Sequence, residues 1–189
     1  MNEADQYFDP ETLMSVSTIS GVDSGDGNYL NVLTEPVNIV QNSLELINIL
    51  QFDVVRRVNN HVNRVDPGAA IRDAVSFLSR YNPRAGGILY LVSRRYVDSN
   101  STVKELDMIG TLLRTKISLI CVEGGSIFYP NRLLNLNRVA ELTEGYYFTN
   151  PDNKTDSWPN ANDAAVKKLI DLSRSPINSV RRVVRSFVD

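Results

Sequence analysis

Two apolar runs constrain what this chain can fold into more than anything else in it: Gly87-Ile-Leu-Tyr-Leu-Val-Ser93 and Ile117-Ser-Leu-Ile-Cys-Val-Glu123. Each has the length and the branched, aromatic content of a strand buried on both faces. The segment between them has helical periodicity, so the pair reads as a strand–helix–strand crossover with parallel strands and a right-handed connection. Strands buried on both faces need helices over both. The expectation is an α/β fold of three layers, with a mostly parallel central sheet between helices.

The remaining elements follow from local signals. Met14 and Val16 alternate with Ser15 and Ser17 as in a strand, and Tyr29-Leu-Asn-Val-Leu33 follows a Gly/Asp-rich turn, so the two runs read as a hairpin. That turn is no calcium loop. Counting from Asp23, the twelfth position is Thr34 where a bidentate glutamate would be needed. Val40, Leu44, Ile47, Leu50, Val54 and Val58 recur at helical steps. Asp66-Pro67 is a helix start, with Ile71, Ala74, Val75 and Leu78 as its inward face. Thr102 and Glu105 are spaced as a capping box, and Val103, Leu106, Ile109 and Leu113 form the expected inward stripe of the crossover helix. Leu133, Leu136, Val139, Ala140 and Leu142 mark another helix, stopped at Gly145, before a short strand Tyr146-Tyr-Phe-Thr149. Residues 161–173 form a helix through Val166, Leu169 and Ile170. Beyond Ser175-Pro176, Val180, Val183, Val184, Phe187 and Val188 share one helical face opposite Arg181, Arg182 and Arg185. The expected organisation is an N-terminal segment 1–11, an α/β domain 12–173 and a C-terminal basic amphipathic helix 174–189.

Composition excludes several classes. A net charge of −2 lacks the basic footprint of a nucleic-acid binder. No stretch reaches the roughly 18 apolar residues of a membrane span, and membrane contact by the basic terminal helix is the weaker reading of it. The start Met1-Asn-Glu-Ala-Asp-Gln6 is acidic and has no apolar run, unlike a secretory leader. Either the protein is intracellular or the chain is a piece of something longer. The single cysteine, Cys121, reads as a small core residue, and the single histidine, His61, builds neither a zinc site nor a nucleophile pair alone.

Four phrases carry a resemblance. They are Asp66-Pro-Gly-Ala-Ala-Ile-Arg-Asp-Ala-Val75, Gly87-Ile-Leu-Tyr-Leu-Val-Ser-Arg-Arg95, Lys116-Ile-Ser-Leu-Ile-Cys-Val-Glu-Gly124 and Leu136-Asn-Arg-Val-Ala-Glu-Leu-Thr-Glu-Gly-Tyr-Tyr-Phe-Thr149. In order and spacing they resemble the von Willebrand factor A domain: its glycine–threonine loop, two core strands, and the closing helix and short aromatic strand. The resemblance runs from the hairpin to about Thr149 and implies a Rossmann-like sheet and an adhesion-type protein-binding role. It also implies extracellular placement, against the missing leader.

The same resemblance implies a lost metal site. Members coordinate a divalent cation through Asp-X-Ser-X-Ser, a threonine and an aspartate. Here Asp23-Ser-Gly-Asp-Gly27 and Asp98-Ser-Asn-Ser-Thr102 are the nearest phrases, neither in the right order. The threonine position falls on Ala69 and the aspartate position on Arg94, a fixed cation that repels a metal ion. The expectation is no metal and no cofactor. The family's first strand, which lies mid-sheet between the strands matching Met14–Ile19 and Gly87–Ser93, has no counterpart here, so a shortened or incomplete domain is expected.

Two functions remain. The first is a non-enzymatic, metal-independent interaction domain that binds a protein partner at the carboxyl ends of the strands, where open α/β sheets hold ligands. Its candidate residues are Arg94, Arg95, Tyr96, Asp98, Phe128 and Tyr129. The alternative is a Rossmann-like enzyme or nucleotide binder. Against it, Glu123-Gly-Gly-Ser126 lacks a third glycine and an acidic ribose partner, and Ser126 has no local histidine. Sequons at Asn100-Ser-Thr102 and Asn153-Lys-Thr155 have meaning only in a secreted chain.

Overall fold

The computed structural model describes residue 8 and residues 11–19, 29–54, 66–81, 86–93, 101–124, 134–150, 158–174 and 183–188. Within them the chain is mixed α/β. Its strands are β1 (Leu13–Ile19), β2 (Leu30–Val32), β3 (Val37–Asn38), β4 (Gly87–Ser93), β5 (Ile117–Gly124), β6 (Tyr146–Asn150) and β7 (Val183–Val188). Its helices are α1 (Ser43–Asn48), which runs on into a π-helical stretch at Ile49–Val54, then α2 (Pro67–Tyr81), α3 (Glu105–Arg114), α4 (Leu136–Leu142) and α5 (Trp158–Arg174). The sheet order is β2-β1-β7-β4-β5-β6, with β3 also on β1. The strands β1, β7, β4, β5 and β6 are mutually parallel. The hairpin partners β2 and β3 are antiparallel to β1.

The two runs that anchor the reading pair as expected, Gly87 with Ile117 through Ser93 with Glu123. Alternation then divides their side chains between two clusters. Leu89, Leu91, Leu119 and Cys121 pack with Ile71, Ala74 and Leu78 of α2, Met108, Ile109 and Leu112 of α3, and Val139 and Ala140 of α4. Ile88, Ile120 and Val122 pack with Ala165 and Leu169 of α5. Each fully buried leucine or isoleucine contributes roughly 1.5–3 kcal/mol by removal from water. Beside β1, Val16 packs with Ile39 and Leu46 and with the half-buried Ile49 and Leu50.

The largest correction concerns the C-terminus. Residues 183–188 are not a basic amphipathic helix; they form β7, in the middle of the sheet. Leu13–Thr18 of β1 and Gly87–Val92 of β4 bond to its two sides. The position between β1 and β4, which was expected to lack a strand, is thus occupied by β7 of the same chain. The physical reason is backbone satisfaction: an empty slot would leave two rows of N–H and C=O groups unpaired. Val183-Val-Arg-Ser-Phe-Val188 is rich in β-branched and aromatic residues, and that content suits a strand as well as its spacing suits a helix.

Three smaller expectations also shift. The inward residues of α3 are Met108, Ile109 and Leu112, while Leu106 is 71% and Leu113 53% exposed. The apolar residues of this helix span a wider arc than the sheet can cover, so its flank stays in water. In α1, Leu44 and Ile47 are exposed and Leu46 is buried, so this helix turns a different face inward from the expected stripe, and the π-helical stretch that follows breaks the 3.6-residue register beyond it. The end of α4 is a Schellman turn. In it Glu144 takes the left-handed conformation (φ 58°), Glu144 N–H donates to Glu141 O (3.1 Å) and Gly145 N–H to Ala140 O (2.8 Å). Gly145 is therefore needed one residue later than a helix-ending glycine, for a different reason taken up below.

Thr143 stitches α4 to the sheet. Its buried hydroxyl donates to Val139 O (2.8 Å) and accepts from Leu119 N–H (3.1 Å). Pairing of β5 with β6 starts at Ile120 and Tyr146, so the threonine takes the place of the strand that Leu119 lacks. Thr143→Val is expected to cost about 1–3 kcal/mol by orphaning that amide, with Thr143→Ser close to wild type, both read by thermal melting. The converse case is Thr12, whose buried Oγ1 has no hydrogen-bond partner among the described residues. Thr12→Val is expected to leave stability unchanged or raise it by about 1 kcal/mol; a lower urea midpoint would contradict this.

Candidate functional site

Because α2 leads into β4, α3 returns from it, and α4 leads into β6, the N-termini of all three helices lie at the carboxyl edge of the parallel strands. Two polar links tie these helix starts together. The first is centred on Asp66, buried just before α2. Its Oδ1 accepts from Ala69 N–H (2.9 Å) as a helix cap. Its Oδ2 accepts from Thr102 N–H (2.8 Å) and from the Thr102 hydroxyl (2.7 Å), across from the segment that starts α3. Burial pushes the Asp66 carboxyl upward, but hydrogen bonds from Ala69, Thr102 and Ser101 outweigh it and hold the group below its ordinary value of 3.8. Gly68 is required here by proximity, since a Cβ would run into the Ser101 hydroxyl and come within 3.0 Å of Val103.

The second link joins α3 to α4. Glu105 accepts from Asn135 N–H (3.2 Å) and pairs with Arg138 (3.2 Å). Asn135 in turn caps α4 by accepting from Arg138 N–H (3.3 Å). The Arg138 side chain is 59% exposed, so the ion pair itself contributes only about 0–1 kcal/mol. The expected capping box is thus corrected. The residue preceding α3 is Lys104, with no side-chain cap, and the two residues that spelled the box reach outward instead, Thr102 to Asp66 and Glu105 to α4.

Of the positions singled out in the sequence, Ala69 is fully buried and its amide is committed to Asp66. Arg94, Arg95, Tyr96, Asp98, Phe128 and Tyr129 lie outside the described residues, as do His61, Asn100 and Asn153. In the chain Arg94, Arg95, Tyr96 and Asp98 follow Ser93, the last residue of β4, and Phe128 and Tyr129 follow Gly124, the last of β5. The pairing of Asp66 with Thr102 was missed by reading each helix start alone. The available signal was two oxygen-bearing side chains at the starts of the consecutive helices that flank β4 in the chain.

Chemically, this edge is a structural clasp. Asp66 accepts from donors of its own chain at Ala69 and Thr102. Among the described residues no group of three or more His, Cys, Asp or Glu side chains comes together as a cation would need. Tyr90, half-buried on β4, has its hydroxyl pushed up to about 12 by desolvation and by Cys121, and stays protonated at neutral pH. Among the described residues no helix is long and apolar enough to cross a membrane. Comparison of the chain with protein-family models, with curated proteins and with solved structures finds no match in any of the three.

Proposed function

We propose that this chain is a non-enzymatic protein-interaction domain of the von Willebrand factor A type, with a three-layer Rossmann-like architecture and a carboxyl edge that works without a metal ion. The observation that carries this reading is the occupation of Asp66. The one buried carboxylate among the described residues of that edge accepts hydrogen bonds from Ala69 and Thr102, and the residue at the family's threonine position offers only a methyl group. Hard cations need several free oxygen ligands, and this clasp spends its oxygens internally. The strand order, with a central strand between β1 and β4, and the packing of helices against both sets of β4 and β5 side chains support the architecture.

In this reading the partner is a protein, held by Arg94, Arg95, Tyr96 and Asp98 after β4 and by Phe128 and Tyr129 after β5. Aromatic and arginine side chains are the types that dominate binding energy at protein interfaces. The test is a pull-down with the full chain, with and without chelator, beside a Phe128→Ala/Tyr129→Ala variant. Retention that ignores the chelator and is lost in the variant supports the reading. Retention abolished by the chelator contradicts it.

A further inference from the structure

We propose that the seam between two apolar clusters on one face of the sheet is a binding site for a single aromatic side chain, filled here in cis by Phe8 and able to take a phenylalanine carried by an extended peptide. Two observations carry it. The first is where Phe8 sits. On this face α5 packs Ala165 and Leu169 against Ile88 of β4 and Ile120 and Val122 of β5. On the same face α1 packs Leu46 in one cluster with Val16 of β1. Val16 and Tyr90 both stand in register with Ser186, so β1 and β4 turn these residues to one side of the sheet with β7 between them. Among the described residues Phe8 alone packs against both clusters. It bridges the two helical covers across the strand that separates β1 from β4.

The second is the contrast between the seam and the segment that supplies its occupant. Half-buried Tyr90, Tyr146 and Phe148 border the cluster on the α5 side and Met14 the cluster on the other, so both sides offer a ring the surface it prefers. The stretch Glu3-Ala-Asp-Gln-Tyr-Phe-Asp-Pro-Glu11 is acidic and poor in aliphatic side chains. Phe8 is itself only half-buried. A polar segment whose aromatic ring enters an apolar seam is anchored as peptides are anchored at protein surfaces, by one side chain that carries most of the binding energy. Held by a short tether, such an anchor fills its site at an effective concentration of about millimolar, which a peptide in trans can match.

The test uses the full chain, its Phe8→Ala variant and a peptide of residues 3–11. Phe8→Ala is expected to melt roughly 2–6 °C below wild type. At about millimolar concentration the peptide is expected to restore that loss saturably, and to shift wild type far less, because Phe8 already fills the site. The same peptide with Phe8→Ala should shift neither. Phe8→Leu, which keeps an apolar side chain, should fall between wild type and Phe8→Ala in both readouts, and it carries the test where the alanine variant does not fold. Equal shifts of wild type and variants by the peptide would place its binding elsewhere and overturn the proposal. A loss of stability that the peptide does not restore would also overturn it, leaving Phe8 a packing residue only. So would a Phe8→Ala variant as stable as wild type.

Discussion

Gly145→Ala is expected to lower the stability of this protein by about 3–5 kcal/mol, the range of the most damaging single substitutions. The cause is contact with backbone. A Cβ at this position would be driven into the carbonyl group of Leu119 and would sit 3.1 Å from its amide nitrogen. Backbone in the interior of a central strand has no freedom to retreat, because Leu119 is paired with Leu89 on one side and bonded to Thr143 on the other. Either β5 shifts, disturbing a core in which Leu119, Ile120 and Cys121 are fully buried, or the Schellman turn opens and α4 detaches. Against a total stability of roughly 5–15 kcal/mol typical of a domain, such a loss lowers the melting temperature by many degrees. A control distinguishes the mechanism. Glu144→Gly relieves a left-handed residue one position earlier and should stabilise by about 0.5–1 kcal/mol. Near-equal melting temperatures for the two variants would show that the close approach to Leu119 is not what Gly145 is for.

Asp66→Asn is the second large effect, expected at about 2–4 kcal/mol because the buried Ala69 amide and the part-buried amide and hydroxyl of Thr102 lose a charged acceptor. The amide side chain keeps the volume but offers one oxygen and turns its NH2 toward donors. The pH dependence follows from the lowered carboxyl. A group whose folded value lies below its unfolded value contributes stability that is present above about 3.8 and is lost as the pH falls through the folded value. Wild type should therefore lose stability on acidification through that window more steeply than Asp66→Asn, and the two curves should converge at the acid end. Parallel curves in urea melts between neutral and acid pH would contradict the role given to Asp66.

The parts of the fold legible beforehand were those whose physics is local. β4 and β5 announce themselves because strands buried on both faces cannot alternate, and the α2 stripe of Ile71, Ala74, Val75 and Leu78 because one helix face meets one sheet face. β7 was not legible for the same reason in reverse. Val183, Val184, Phe187 and Val188 fit helical spacing, and the two strands that decide the matter, β1 and β4, are distant in sequence. Tertiary pairing overrode the local pattern. The clasp was half visible: Asp66 caps α2 as expected, but the partner of its second oxygen, Thr102, had a plausible local role as a cap for α3. Only the crossover geometry brings the two together. The six proposed binding residues rest on the resemblance and on chain order after β4 and β5.

The central claim is a docking edge that needs no ion, and calorimetric titration of the full chain with magnesium, manganese and calcium chlorides tests it most directly. The account predicts no heat of binding for any of the three, together with a melting temperature that chelator leaves unchanged. Saturable one-site binding of any of these cations, lost in Asp66→Asn, would contradict it.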